Sequence, residues 1–313
     1  MTRACCLLEP GTGGVSALPG FKEGAWWVQD AAAATPATVL MSALRAQVRA
    51  PGFACDDSRV RVLDMCAAPG GKCAQLAGLG GCSEFASSGL TVEVTAVDVD
   101  ARRVQTMRAN LHRIFGDACP VRSVVGDGRS LDVATLEAKG ASKGASKGVS
   151  AGFAGALLDV PCSATGTGRR RPDVLRKALP PTPRALREAS RSCDGGRDES
   201  SDVAAARDFR GLLELQAALA EQCARFLVRP GGVLVYASCS LLLEEGEGQA
   251  AALARLTDES GAPLLSPLPI TAGEVPGFGR AVTREGWLRV LPGCLDDLCD
   301  GFFVARFTRR GAG

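Results

Sequence analysis

Two apolar runs of this chain end in a thiol: Ala156-Leu-Leu-Asp-Val-Pro-Cys-Ser163 and Val233-Leu-Val-Tyr-Ala-Ser-Cys-Ser240. A cysteine just beyond the carboxyl end of a buried parallel strand sits where open α/β sheets do their chemistry. A third run, Arg61-Val-Leu-Asp-Met-Cys66, breaks into Ala67-Ala-Pro-Gly-Gly-Lys72, a turn whose glycines let backbone approach a ligand closely. The helix expected after it offers unpaired amides to a carboxylate or phosphate. Together these point to a cofactor pocket served by a thiol nucleophile. The turn is neither G-x-x-x-x-G-K-[ST] nor G-x-G-x-x-G, so neither a P-loop nor a dinucleotide fingerprint is indicated.

Two acids follow at positions that suit a nucleoside. Thr95-Ala-Val-Asp-Val-Asp100 ends a second strand run, and an acid there accepts hydrogen bonds from ribose hydroxyls. Asp98 is the better candidate, and Asp100 reads mainly as a cap of the next helix, a role also open to Asp98. Asp127, in Gly126-Asp-Gly128, is placed to accept from an adenine amino group, although Gly-Asp-Gly is also ordinary turn chemistry. The single histidine removes Ser-His-Asp and Cys-His hydrolases, because His112 lies in Met107–Phe115, which reads as an amphipathic helix.

The elements that hold these residues alternate. Strands are expected near 60–65, 93–98, 121–125, 154–159 and 232–237, with helices after Gly71, after Asp100 and across Leu212–Leu227, the pattern of βαβ units and a parallel sheet. Gly301–Phe307 reads as a last strand, paired with one near Leu288–Leu291. Ahead of the sheet, Trp26-Trp27 leads into a helix running to about Val48, with Asp30 as its N-cap. Those tryptophans read as anchors of this segment to the core more readily than as base-stacking platforms. Two stretches read as flexible insertions: 138–151, with its Ala-Ser-Lys-Gly repeat, and 189–206, rich in Ser, Asp, Arg and Gly.

Composition sets the limits. The chain has 313 residues, 46% of them apolar, and a net charge of +2, so any nucleic-acid contact must come from local basic clusters. Thirteen cysteines, an odd number with no secretory signal ahead of them, point to a reducing intracellular compartment, with cytoplasm, nucleus and organelle left open. With no C-x-x-C and one histidine, no metal site is expected. No apolar run reaches the roughly 18 residues of a membrane span, so no membrane partner is expected.

The motifs, taken in order, resemble the RNA 5-methylcytosine methyltransferases of the NOL1/NOP2/Sun family: Cys66–Lys72, Asp98, Gly126-Asp127-Gly128, Asp159-Val-Pro-Cys-Ser-Ala-Thr-Gly166 and Ala237-Ser-Cys-Ser240. The resemblance covers about 20–307. Pro161–Gly166 with Arg169-Arg-Arg-Pro-Asp173 is most similar to the bacterial type that modifies small-subunit ribosomal RNA, as are 20–30 and 300–306. It implies an α/β, Rossmann-like S-adenosylmethionine-dependent methyltransferase fold with a mostly parallel sheet, a catalytic domain at 53–313 and a small N-terminal extension at 1–52. It further implies methyl transfer from S-adenosyl-L-methionine to carbon 5 of cytosine in RNA, ribosomal by this likeness, through a covalent cysteine adduct, with no histidine base. By resemblance Cys239 is the nucleophile, Cys162 helps release the product, Asp159 hydrogen-bonds the cytosine edge and Lys72 holds the substrate or the site's network. The residues themselves do not order the two thiols, since both occupy equivalent strand ends. Also by resemblance, Cys66, Ala67, Ala68, Pro69, Gly70, Gly71, Lys72, Asp98, Asp127 and Asp159 line the cofactor site. The other eleven cysteines read as structural.

Four departures from the family pattern stand out. Ser238 replaces a threonine, and Arg171 replaces a histidine in a stretch that keeps a basic surface suited to phosphates. Gly246 stands where an asparagine usually follows the glutamates, and is expected to loosen the loop behind the nucleophile. The long N-terminal RNA-binding domain of the bacterial type is missing from the chain, so a ribosomal particle or accessory RNA-binding partner is expected to select the substrate for a monomeric enzyme. Two rival functions are a methyltransferase of another substrate and a catalytically weak RNA-binding ribosome assembly factor.

Overall fold

Runs of valine, leucine and alanine become the central strands because a parallel strand covered by helices is buried on both faces. The computed structural model describes residues 14–50, 58–81, 83–138, 152–174, 201–295 and 298–311. In chain order its elements are α1 (Thr35–Arg49), β1 (Arg59–Met65), α2 (Gly71–Gly80), α3 (Ser83–Ser87), β2 (Thr91–Asp98), α4 (Ala101–Phe115), β3 (Val121–Val125), α5 (Val133–Ala138), β4 (Phe153–Asp159), α6 (Ser201–Gln222), β5 (Val228–Ser238), α7 (Gln249–Ala254), β6 (Leu265–Pro267), β7 (Leu288–Val290), β8 (Pro292–Leu295) and β9 (Phe302–Arg309).

The sheet runs β3-β2-β1-β4-β5-β9-β6, with β7 also paired to β9. β3, β2, β1, β4 and β5 are mutually parallel, and β9 lies antiparallel to β5. Strand order reverses between β1 and β4, and in open α/β sheets ligands bind at that switch, outside the carboxyl ends of the strands. The Cys66–Lys72 turn, the Cys162 loop and the Cys239 loop follow β1, β4 and β5, so all three open on this edge.

Alternation along each strand separates two cores. Val62, Val94, Val235 and Val304 pack on one face with Val39, Leu40 and Leu44 of α1, whereas Leu63, Leu158, Tyr236 and Phe303 pack on the other with Leu219 and Cys223. The segment expected as an N-terminal extension thus supplies one layer of the common core. Trp27 is half-buried against that core, and Trp26 donates to the Pro19 carbonyl at 2.9 Å, so the pair anchors rather than forming an open stacking platform. Asp30 accepts the Ala32 amide at 2.9 Å, and it reaches farther than a cap, since the Asp300 amide and the Arg169 guanidinium also bind it.

The expected strands all form, to within a few residues. β6 and β8 were not expected, being too short for alternation to show. The last helix starts earlier than expected, at Ser201, so 201–206 are helical rather than flexible surface; Ala204-Ala205-Ala206 favour that extension. Its final turn, Cys223–Leu227, widens to π geometry. The remainder of both expected insertions, 139–151 and 189–200, lies outside the described residues. Among the described residues no helix is long and apolar enough to cross a membrane.

Candidate active site

The two thiols are brought into contact. Because β4 and β5 are neighbours in parallel register, with Asp159 opposite Ala237, the chain emerges from both at one level and sets Cys162 Sγ 3.3 Å from Cys239 Sγ. Beside them the Lys72 Nζ lies 2.6 Å from Asp159 Oδ2, and 5.3 Å from the centre of the Phe302 ring. The four residues expected to do chemistry therefore form one cluster, drawn from the ends of β1, β4 and β5.

The thiols share a proton unequally. Their contact, in which either thiol can donate, pulls the Cys162 pKa below the ordinary cysteine value against the opposing effect of burial. The same contact, burial and the charge on Cys162 push the Cys239 pKa far up, with Lys72 working in the opposite direction. The two thiols titrate as a pair and do not ionise together. Burial disfavours the Lys72 ammonium, but the charge and hydrogen bond of Asp159 outweigh it and leave the lysine above its ordinary value.

Both thiol loops are tied down. Glu245 is fully buried and accepts the Ser163 amide and the Gln216 side-chain amide, each at 2.9 Å, together with the Ser163 hydroxyl. Gln216, from α6, also donates to the Pro161 carbonyl at 2.9 Å, and the Tyr236 hydroxyl donates to the Glu245 carbonyl at 2.8 Å. The two loops meet at Gly166, whose amide donates to the Cys239 carbonyl at 2.9 Å and whose carbonyl accepts the Gly301 amide at 2.8 Å. A Cβ at Gly166 would overlap both backbones, so glycine is needed there. Ala164 in this loop and Cys66 in the first turn hold left-handed backbone, φ +57° and +62°, an unfavourable state for residues with a Cβ that the surroundings must enforce.

In the Cys66–Lys72 turn, Gly70 takes φ +107° and α2 starts at Gly71, leaving the first-turn amides free of helix partners. Asp98 fixes this turn: its carboxylate accepts the Ala68 amide at 3.2 Å and the Asp100 amide at 3.1 Å, and Arg103 lies 3.3 Å away. Only 1% of its side chain is exposed, so as it stands Asp98 supports the turn and does not face the cleft. Asp100 caps α4. Asp127 is paired with Arg129 at 2.6 Å, which holds its carboxyl below the ordinary value.

Four residues of this neighbourhood were not singled out from sequence. Asp64, on β1, is fully buried, and neither carboxylate oxygen has a hydrogen-bond partner among the described residues. Burial raises its pKa to about 8, opposed by Lys72 and aided by Asp159 and Asp98. Glu245, Gln216 and Arg289 escape sequence reading because their roles depend on contacts across the fold. Gly246 was expected to loosen the loop behind Cys239, and the space it leaves is occupied. The Arg289 side chain fills the space left there and pairs with Glu247. Of the other cysteines, Cys73, Cys223 and Cys299 are buried, while Cys66, Cys119 and Cys294 are half-buried. Cys5, Cys6, Cys55, Cys82 and Cys193 lie outside the described residues.

Comparison with known proteins agrees with this geometry. The chain is 35% identical over 291 residues to ribosomal RNA small subunit methyltransferase B of Xanthomonas campestris, covering 93% of this chain and 49% of that protein. It is 29% identical over 293 residues to ribosomal RNA small subunit methyltransferase F of Escherichia coli O139:H28, covering 92% of this chain and 46% of that protein. It therefore spans about half the length of the curated relatives it matches. The crystal structure of NSun6 from Pyrococcus horikoshii with SFG shares the fold, with a TM-score of 0.56 and 22% identity over 96% of this chain and 57% of that one. The profile of the 16S rRNA methyltransferase RsmB/F family matches residues 54–188 and 183–308, and with a Rossmann-like sheet and two thiol loops in the expected places, the chain belongs to that family.

Proposed function

We propose that this chain transfers a methyl group from S-adenosylmethionine to carbon 5 of a cytosine in small-subunit ribosomal RNA. The observation that carries the reading is the pair of thiols in contact beside Lys72 and Asp159. Carbon 5 of cytosine is a poor nucleophile; addition of a thiolate to carbon 6 converts the ring to an enamine-like nucleophile. Cys239 takes that role. The Lys72 ammonium favours the Cys239 thiolate, which forms by loss of the proton to solvent, without a histidine. Asp159, held by Lys72, hydrogen-bonds the cytosine edge and stabilises the adduct. After carbon 5 is methylated, the Cys162 thiolate takes the carbon 5 proton, that electron pair re-forms the 5,6 double bond, and the carbon 6–sulfur bond breaks to return the Cys239 thiolate. The base must be single-stranded or flipped to reach this depth.

The residues after β1 fit the methyl donor. Free amides at the start of α2 suit its carboxylate, while Asp159 and Asp127 are partly exposed. Asp98 contributes by holding Ala68 in place, and a ribose contact through it requires its carboxylate to turn outward. When bound, the donor supplies the methyl group. The chain works as a monomer on a ribosomal particle or with an RNA-binding partner, in a reducing compartment, since oxidation of the Cys162–Cys239 pair would remove both thiols from the reaction.

The test is incubation of the chain with labelled S-adenosylmethionine and either unmethylated small-subunit ribosomal RNA or the small subunit itself. 5-Methylcytosine at a single position is expected. Cofactor binding and RNA binding without methyl transfer to either substrate would favour an assembly role instead.

A further inference from the structure

Cys239 sits between two carbonyls that are both held. Its own accepts the Gly166 amide at 2.9 Å, and the next, that of Ser240, accepts Arg289 Nη1–H at 2.8 Å. Arg289 lies on β7, opposite Phe303 of β9. Its guanidinium stacks 4.6 Å from the centre of the Phe303 ring, Nε donates to Glu247 Oε1 at 3.0 Å, and Nη2 donates to Glu247 Oε2. An arginine fork fixed to a carboxylate on one side and an aromatic face on another has little rotamer freedom left. That rigidity passes to the Ser240 carbonyl, one residue from the Cys239 thiol. Gly246 provides the room, because a Cβ there would overlap Arg289 Nη2 and come within 3.0 Å of Phe303 Cγ.

We propose that Arg289 is a positioning residue for Cys239: it holds the Ser240 carbonyl so that the Cys239 thiol stays against that of Cys162, and Gly246 is the space its guanidinium requires. The turnover consequence rests on the methyl-transfer reading above; the geometric consequence does not. Loss of Arg289 releases the Ser240 carbonyl while the Gly166 amide still holds the Cys239 carbonyl, lets the Cys239 thiol draw away from Cys162, and weakens the hydrogen bond that lowers the Cys162 pKa.

The experiment compares wild type with Arg289→Ala, Arg289→Lys and Gly246→Ala. Alkylation of Cys162 and Cys239 by iodoacetamide is followed peptide by peptide by mass spectrometry across pH, alongside kcat and KM for RNA methylation. For Arg289→Ala, kcat is expected to fall by about tenfold to a hundredfold, as for a misplaced reacting group, with KM for RNA changing far less. The Cys162 alkylation midpoint should move up toward that of a free cysteine, about 8.5. Arg289→Lys should recover part of both effects, since an ammonium still donates to Ser240, and Gly246→Ala should shift the midpoint as Arg289→Ala does. A folded Arg289→Ala with the wild-type alkylation profile overturns the proposal, whatever its turnover. If Arg289→Ala does not fold, a wild-type profile in Gly246→Ala overturns it instead. Should wild type methylate no RNA while the profiles still shift, the positioning role stands and the substrate reading falls.

Discussion

The loops after β4 and β5 are built alike and behave differently. Each leaves a parallel strand at the same level, carries one half-buried thiol and is followed by a serine. Yet the Cys162 pKa is drawn below the ordinary cysteine value and the Cys239 pKa is pushed above it. The cause is the contact between the two sulfurs, in a place too dry for both to ionise. Two cysteines of equal sequence context are thus made unequal by mutual contact. The Cys162 loop is tied by Glu245 and Gln216, and the Cys239 loop by Gly166 and Arg289 on its carbonyls and by the Ser163 and Thr165 hydroxyls on Ser240 and Leu241. Fixing both loops to one another keeps the thiols in contact.

Cys239→Ala removes one side of this pair, and methyl transfer should fall to background while S-adenosylmethionine affinity, followed by calorimetry, stays near wild type. Loss of cofactor binding in the folded variant would place Cys239 in the wrong role. Glu245→Ala comes next. It leaves the Ser163 amide and one of the two Gln216 side-chain N–H groups without an acceptor, at about 1–3 kcal/mol for each buried group, and should lower both the urea midpoint and kcat. Equal stability to wild type would mean that the Cys162 loop does not depend on it. Gly166→Ala strains the junction of the two loops; overpacking of this kind costs about 1–3 kcal/mol, read as a drop in Tm together with slower turnover.

The smallest effect on turnover concerns Asp64, buried on β1 outside the thiol pair. Its pKa is raised to about 8 in the folded chain, against about 3.9 unfolded. Between these values the folded chain holds a proton that the unfolded chain has lost, so this contribution to stability is complete below about pH 4 and is lost as pH rises toward 8. Asp64→Asn should flatten that slope and stabilise the chain at neutral pH by a few kcal/mol at most. Tm measured against pH checks this, and a slope identical to wild type would show that Asp64 is not the group responsible.

What was legible in the sequence follows from range. The strands ending at Asp159 and Ser238 announce themselves as nearly continuous apolar runs and those ending at Met65 and Asp98 by alternation, and the thiols that follow two of them are visible because chemistry-bearing residues sit next to strong local patterns. Cap signals were equally local, as Asp100 illustrates. Glu245 meets Ser163 across 82 residues, Gln216 meets Pro161 across 55, and Arg289 meets Ser240 across 49. No local period marks such residues, since their partners are chosen by the order of strands in the sheet. Gly246 misled for the same reason: read alone it is a loosened loop, and only β7 shows what fills the space. The order of the two thiols was likewise invisible, because both follow a parallel strand at the same level and residue type does not distinguish them.

The central claim, a cytosine attacked by Cys239 and released with the help of Cys162, is tested most directly by trapping. Cys162→Ala is incubated with S-adenosylmethionine and small-subunit ribosomal RNA, and protein covalently bound to RNA is measured after denaturation, with Cys162→Ala/Cys239→Ala as the control. The account predicts an adduct in the single variant that maps to Cys239 and is absent from the double. An adduct that survives removal of Cys239, or one that accumulates in Cys239→Ala alone, would contradict it.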